Sequence, residues 1–185
     1  MTPLDNIVGQ NLRILSQVMC EICQRSTLEE ASEGELSRNQ FAILKIISTQ
    51  GDLPVREIAR IMAISNAAAS KNIERLVKLD MVARKPHPTD RRSVALALRP
   101  FGQETIERHD EVSERKLTKI MAQFSNQEKV SLLDYLQRII KFTIAEEQDT
   151  DMVCFQCNGE CGDACVVSEL EGSCTLESRT QGDKQ

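Results

Sequence analysis

The chain has 185 residues, of which 41% are hydrophobic and 28% are charged, and its formal net charge at pH 7 is −5. This length suits one compact domain with an appendage, and the composition is that of an ordinary soluble globular protein. Aromatic residues make up only 3%, which favours a helical core of aliphatic side chains. Because residues 1–22 are amphipathic and contain charges, we expect neither a signal peptide nor a membrane span, and hence a cytoplasmic protein.

The net charge conceals two regions of opposite sign. Beyond residue 145 the chain has ten acidic and two basic residues, whereas residues 54–101 have ten basic and four acidic residues. Binding to phosphates requires a local basic patch rather than a high overall isoelectric point. The central segment meets this requirement.

The N-terminal part of the chain has the apolar spacing of helices. A long helix is predicted from Leu4 to about Leu28, and the polar residues 27–34 are predicted to connect it to the next helix. Ser37 and Gln40 have the spacing of a capping box, and Gly51 is expected to end the helix that they begin.

The middle of the chain predicts a helix-turn-helix followed by a β-hairpin. A short helix begins at Pro54, and Ser65 is a suitable N-cap for a second helix that ends near residue 79. Two short strands within residues 81–99 enclose a basic loop, to which we assign Pro86 and Pro88.

Two more helices are predicted after the hairpin, over residues 101–124 and 125–145, the second capped by Ser125. His109 lies in a polar stretch of the first and is expected at the surface. The predicted organisation is therefore a mainly α-helical domain over residues 1–148 and an acidic, cysteine-rich tail over 149–185.

The helix that follows Ser65 has two contrasting faces. Helical spacing places Ala69, Ile73, Leu76 and Val77 on the inner face. The opposite face combines small and basic residues, which would let the helix approach base edges while its cations reach phosphate or guanine. An ordinary solvated helix surface is the alternative. The candidate DNA-binding residues on this helix are Ser65, Ala67, Ala68, Ser70, Lys71 and Arg75.

The loop of the hairpin adds a second basic element. Arginine at the tip of such a loop can enter the minor groove of DNA, and Asp90 can hold the guanidinium of Arg92 in place beforehand. A surface salt bridge of little energetic value is the alternative for this pair. The candidate DNA-binding residues of the hairpin are Lys85, His87, Asp90, Arg91 and Arg92.

The run from Gly51 to Gly102 resembles the MarR (multiple antibiotic resistance regulator) family. The Asp-Arg-Arg sequence of the hairpin after a helix-turn-helix is the most specific part of this resemblance. Asp80, where the family usually has Gly, and Arg99, where it usually has Thr, depart from the pattern. The matching residues are Leu53-Pro54-Val55-Arg56-Glu57-Ile58-Ala59, Ser70-Lys71-Asn72-Ile73-Glu74-Arg75-Leu76, Thr89-Asp90-Arg91-Arg92-Ser93 and Pro100-Phe101-Gly102.

This resemblance implies a winged-helix homodimer whose first and last helices intertwine and which binds a near-palindromic operator in double-stranded DNA. It also implies a regulator, expected to be a repressor, rather than an enzyme. The recognition helix would enter the major groove, and Arg92 in the wing would enter the minor groove. Effectors of the family's usual kind would be small phenolic or anionic molecules.

Seven cysteines in a chain expected in the reducing cytosol are not a disulfide framework. Thiolate ligands select zinc or iron–sulfur clusters, and the spacing in the tail, without histidine, favours a cluster over zinc. The alternative to a metal site is a disordered tail whose thiols are free or form a thiol–disulfide switch. The candidate ligands are Cys154, Cys157, Cys161, Cys165 and Cys174, with Cys20 and Cys23 on the first helix as further candidates unless they are buried as small hydrophobic residues.

Three functions follow from these patterns. The first is a DNA-binding regulator, expected to be a repressor, whose tail senses redox state or iron. The second is a repressor that answers to a small-molecule effector while its tail senses nothing. The third, a metal-binding or electron-carrying module with little DNA binding, is disfavoured by the intact basic hairpin.

Overall fold

A computed structural model of the chain describes residues 1–51, 53–86, 94–147 and 165–171. Helices and one β-hairpin make up the described residues, which confirms the mainly α-helical class. Their order is α1 (Pro3–Gln17), a π-helix (Val18–Gln24), α2 (Arg25–Ser32), α3 (Arg38–Gln50), α4 (Val55–Ile61), α5 (Asn66–Lys78), β1 (Val82–Pro86), β2 (Val94–Leu98), α6 (Pro100–Met121), α7 (Asn126–Glu147) and α8 (Val166–Glu171).

The first helical region is longer and less regular than predicted. The connection expected over residues 27–34 is wrong, because α2 continues to Ser32 and buries Thr27, Leu28 and Ala31. The buried face was hidden in the sequence because polar residues surround these three positions. The turn follows at Glu33, which has a left-handed φ of 52°, and at Gly34.

The capping predictions for α3 and α5 are confirmed. The Ser37 hydroxyl accepts a hydrogen bond from the Gln40 amide, and the Gln40 side chain accepts one from the Ser37 amide. Gly51 ends α3 with a φ of 74°. The Ser65 hydroxyl accepts a hydrogen bond from the Ala68 amide at 3.2 Å and so begins α5. These side chains satisfy amide groups that a helix N-terminus leaves without a partner.

The hairpin is antiparallel, with Val82 paired to Leu98 and Pro86 paired to Val94. Pro86 is therefore the last residue of β1, and its assignment to the loop was wrong by one residue. A proline can occupy this position because it is at the end of a strand, where few ladder bonds remain. The Leu96 amide donates to the Leu53 carbonyl at 3.3 Å, which ties β2 to the start of the helix-turn-helix.

The core lies between α3, the helix-turn-helix and the base of the hairpin. Gly102, in the first turn of α6, permits the close approach of this base, since a Cβ atom there would lie 2.5 Å from the Met81 carbonyl oxygen. The largest side chains with less than 2% exposure are Ile43, Leu44, Ile46, Ile58, Ile73, Leu76, Met81, Leu96 and Val82.

The C-terminal tail contains one helix that the sequence patterns did not predict. This helix, α8, lies in the described part of the tail and packs against α7. Val167 is 9% exposed, and the Lys141 ammonium of α7 lies 2.6 Å from the Glu169 carboxylate. Hence one segment of the tail is anchored on the last long helix. The division of the chain near residue 148 stays a prediction.

His109 is buried, in contrast to the surface position predicted for it. Its side chain belongs to the face of α6 that also buries Thr105, Ile106 and Val112. The spacing of these residues is helical, but the charged residues between them concealed it. The centre of the imidazole ring lies 4.2 Å from the ring centre of Phe41.

Asp110, the residue after His109, is half-buried and joins α3 to α6. Its carboxylate accepts hydrogen bonds from the buried Lys45 ammonium at 3.0 and 3.1 Å. The same carboxylate lies 3.2 Å from Nδ1 of His109. Burial removes the hydration of a charged imidazole and lowers the pKa of His109 below 6.5, although the bond to Asp110 acts in the opposite direction.

We expect the free energy of unfolding to fall as the pH is lowered below 6.5. The folded state binds the His109 proton less tightly than the unfolded state does, so the stabilisation is complete above the unfolded pKa and is lost as the pH falls from there through the folded pKa. One histidine limits the slope to about 1.4 kcal/mol per pH unit. Denaturant titrations between pH 7.5 and 5.5 should show a smaller slope for His109→Phe, which keeps the aromatic contact with Phe41. An identical slope in both proteins would contradict this prediction.

Candidate nucleic-acid interface

Helix α5 is held in place by one fully buried face. Ala69, Ile73 and Leu76 have 0% exposure, as the helical spacing predicted. Val77, which was predicted on the same face, is 37% exposed and lies at its edge. Because these contacts fix the rotation of the helix, they also fix which side chains face outward.

The outward face of α5 brings the predicted residues together. Ala67, Lys71, Arg75 and Lys78 are exposed, and Ala68 and Ser70 are half-buried beside them. Small side chains near the N-terminus and cations further along give a surface that fits a groove lined by phosphates. This placement agrees with the sequence-based assignment, which stays a prediction with respect to DNA contact.

Arg75 has a protein partner on this face. Its guanidinium lies 2.6 Å from the Glu35 carboxylate, in the loop between α2 and α3. Both side chains are about half exposed. No local pattern signals this pair, because the two residues are 40 positions apart in the chain.

Two further exposed residues, which the sequence patterns did not single out, are candidates for contact with DNA. Asn66 occupies the first position of α5 and is exposed, and Arg84 is exposed on β1. An asparagine at the leading end of a recognition helix is able to pair with adenine, and an arginine with phosphate or guanine. The sequence could have indicated Asn66, because it directly follows the N-cap Ser65 of the predicted recognition helix.

The described part of the wing consists of its two strands. Lys85 is exposed on β1 and is paired in register with Ala95 on β2. The other wing candidates, His87, Asp90, Arg91 and Arg92, lie outside the described residues, so their roles rest on the sequence.

The base of the wing is braced by the two residues that depart from the family pattern. Asp80 adopts a left-handed conformation with a φ of 59°, which a glycine would adopt without steric cost. Its carboxylate lies 3.1 Å from Nε of Arg99, which directly follows β2. The Arg99 amide also donates to the Met81 carbonyl at 2.9 Å. Hence Asp80 and Arg99, the two residues that depart from the family pattern, contact each other.

The cysteines of the first helical region lie in the π-helix. Cys20 is exposed and Cys23 is half-buried, and the Cys23 carbonyl accepts a hydrogen bond from the Ser26 hydroxyl. The Cys20 carbonyl accepts one from the Arg38 guanidinium. π-helical turns are rare and occur frequently at functional sites.

Of the five tail cysteines, Cys165 alone is in a described segment, where it is half-buried just before α8. Among the described residues, no group of three or more His, Cys, Asp or Glu side chains could hold a metal ion. The remaining candidate ligands, Cys154, Cys157, Cys161 and Cys174, lie outside the described residues.

The surface of α1 and α7 is unusually apolar. No residue of α1 is buried, and both helices expose aliphatic side chains along their length. Within the described ranges, no helix is long and apolar enough to cross a membrane. The exposed residues include Leu4, Ile7, Val8, Leu12 and Leu15 on α1 and Val130, Leu133, Leu136, Ile139 and Ile140 on α7.

Known proteins resemble this chain in the region of the helix-turn-helix. Residues 36–94, which contain α3, the helix-turn-helix and β1, match the family model described as "MarR family". YpoP of Bacillus subtilis (strain 168), an uncharacterised HTH-type transcriptional regulator, is 26% identical over 117 residues, which are 63% of this chain and 83% of YpoP.

Solved structures show the same fold. RV1404 from Mycobacterium tuberculosis superposes with a TM-score of 0.66 at 23% identity, covering 74% of this chain and 92% of that chain. A point mutant of MepR from S. aureus, bound to an oligodeoxyribonucleotide, superposes with a TM-score of 0.58 at 15% identity, covering 74% and 97%. The family match over residues 36–94 and this shared winged helix-turn-helix fold make the chain similar to the transcriptional regulators of the MarR family.

Proposed function

We propose that this protein is a cytoplasmic repressor that binds a near-palindromic site in double-stranded DNA as a homodimer. The observation that carries the proposal is the geometry of α5, whose inner face is fully buried and whose outer face presents small residues followed by cations. In this proposal Asn66, Ala67 and Ala68 approach base edges in the major groove, and Lys71 binds phosphate or guanine. Arg92, which belongs to the wing by its sequence, is proposed to enter the minor groove.

The charge distribution along the chain also supports binding to DNA through the helix-turn-helix and the hairpin. Residues 54–101 have six more basic than acidic residues, although the whole chain has a net charge of −5. Association with DNA depends on this local excess, because the interaction with phosphates is screened within about 10 Å at moderate salt.

We expect Lys71→Gln to weaken binding to DNA, by roughly 1–3 kcal/mol if the side chain reads a base edge. The slope of log affinity against log salt should fall by about one unit if it neutralises a phosphate. The probe is a duplex that the wild-type protein enriches from a random-sequence pool, and the measurement is fluorescence anisotropy over a salt series.

The matched control is Lys119→Gln, which removes the same charge from an exposed position in the last turn of α6. It should bind as the wild type does. If both variants bind like the wild type at every salt concentration, the outward face of α5 is not the DNA-binding surface.

The homodimer is proposed from the exposed apolar surface. Helix α1 and the stripe of α7 expose far more aliphatic area than a monomeric protein usually does, and such patches mark interfaces. A second copy of this chain is the proposed occupant, because near-palindromic operators require a two-fold symmetric protein. α1 and α7 are then the helices that would intertwine.

We expect Ile140→Glu to raise the dimer dissociation constant at least about tenfold, because a buried carboxylate without a partner costs more than the roughly 1.4 kcal/mol that this factor represents. Sedimentation velocity over a concentration series measures the change. Ser131→Glu is the control: by helical spacing it introduces the same charge on the opposite side of α7. A wild-type protein that is folded and monomeric at micromolar concentration would refute the dimer.

We further propose that the tail senses iron or redox state through an iron–sulfur cluster. The ligands would be Cys154, Cys157, Cys161 and Cys165, with Cys174, Cys20 or Cys23 as substitutes. The thiolate donor set fits such a cluster, and Cys165 precedes a helix that Val167 and Glu169 hold against α7. When bound, the cluster would supply a redox-sensitive structural link, since metal–thiolate bonds contribute folding free energy to a segment with little apolar surface.

We expect anaerobically purified protein to contain iron and sulfide in comparable amounts and to absorb visible light. Cys157→Ser combined with Cys161→Ser should remove both, whereas Ser173→Ala, which changes no thiol, should leave both unchanged. Zinc without sulfide would indicate a zinc site instead. Metal-free protein with a protease-resistant tail and unchanged affinity for DNA would refute the cluster and leave a winged-helix regulator without this sensor.

A further inference from the structure

A short acidic segment at the end of α2 connects three helices. The Glu33 carboxylate lies 3.3 Å from the Arg108 guanidinium of α6. Glu30 forms ion pairs with Arg115 and, at 3.4 Å, with Lys116 on the same helix. These contacts hold the end of α2 against α6.

The next acidic residue, Glu35, contacts the recognition helix instead. Its carboxylate accepts a hydrogen bond from Nη2 of Arg75 at 2.6 Å. The segment from Glu30 to Glu35 therefore bridges α6, which leads into the proposed dimer helix α7, and α5, which is proposed to read the DNA.

The backbone that carries Glu35 is well fixed. Its amide donates to the Ser32 carbonyl at 2.9 Å, within the tight turn that the positive φ angles of Glu33 and Gly34 form. Leu36, the following residue, is 8% exposed and packs in the core. A carboxylate presented by a rigid turn loses less conformational entropy on forming an ion pair than one on a mobile loop.

Arg75 lies away from the end of α5 that meets the bases in the proposed complex. It follows Lys71 by one helical turn and Ala67 by two, and it is in the last turn of the helix. Its neighbour Leu76 has 0% exposure. The buried face fixes the rotation of α5 about its axis, and the ion pair adds a direct link between its last turn and the turn that carries Glu35.

We propose that Glu35 is a positioning residue for DNA binding: it holds the recognition helix through Arg75, so that Arg75 is a tether rather than a DNA contact. This inference rests on the proposed function, because it concerns how α5 is presented to DNA. It also changes the assignment of Arg75 that the sequence suggested.

The opposite role for the same pair would be competition. If Arg75 bound phosphate in the complex, Glu35 would occupy it beforehand and removal of the carboxylate would tighten binding. If Arg75 is a tether, removal of the carboxylate weakens binding, even though it also removes a negative charge from the neighbourhood of DNA. The two roles thus predict changes of opposite sign.

The experiment compares Glu35→Gln, Arg75→Gln, Arg75→Glu and the exchange Glu35→Arg/Arg75→Glu, all on the duplex enriched by the wild-type protein. We expect each neutral variant to weaken binding about two- to fivefold, the range typical of an exposed ion pair. Arg75→Glu should be weaker still, because it places two carboxylates together. The exchange should restore affinity to within about threefold of the wild type, since it restores the pair with the charges reversed.

The salt dependence of DNA affinity distinguishes a tether from a residue that contacts phosphate. A general loss of stability would not produce different salt slopes for the two variants. Arg75→Gln should keep the wild-type slope, whereas Lys71→Gln should reduce it by about one unit. Glu29→Gln is the matched control for lost negative charge, because Glu29 contacts Arg25 within α2 at 3.9 Å rather than α5. It should bind as the wild type does or slightly tighter.

Three results would overturn the tether: tighter binding by Glu35→Gln, a slope reduced by about one unit in Arg75→Gln, or no rescue by the exchange. If wild-type protein enriches no duplex at all, the proposed function fails, and the tether fails with it. Enrichment by the wild type combined with any of the three results rejects the tether alone.

Discussion

The burial of one face of α5 is the constraint on which the rest of the structure depends. Ala69, Ile73 and Leu76 are completely removed from solvent. A helix anchored in this way cannot rotate about its axis without exposing aliphatic area at a cost of about 25 cal/mol per Å². The orientation of its outward face follows directly, as does the position of the hairpin, whose first strand begins four residues after the helix ends.

The wing depends on a second set of contacts at its base. Asp80 takes a left-handed conformation where glycine would be the usual choice, and its carboxylate contacts Arg99 across the hairpin. Gly102 lets the start of α6 lie directly against the Met81 carbonyl. The conformational cost of a non-glycine residue at position 80 is about 1–2 kcal/mol, and a contact with Arg99 offsets part of it.

The buried polar contacts lie where α3 meets the long helix α6. Lys45 and Asp110 form an ion pair between α3 and α6, with His109 stacked beside it on Phe41. The acidic segment at the end of α2 adds ion pairs to both α6 and α5. A separate ion pair, between Lys141 and Glu169, joins α7 to α8 of the tail.

Local patterns in the sequence determined the helix-turn-helix, the hairpin and the caps at Ser37 and Ser65, because each depends on residues only a few positions apart. They also determined the small and basic face of α5. Tertiary structure decided the features that join distant segments: the burial of His109, the pairing of Glu35 with Arg75, and the contact between Asp80 and Arg99. Charged residues conceal such contacts in the sequence, because a solvated surface and a paired, half-buried one have the same composition, and the partner lies on another element that only folding brings near.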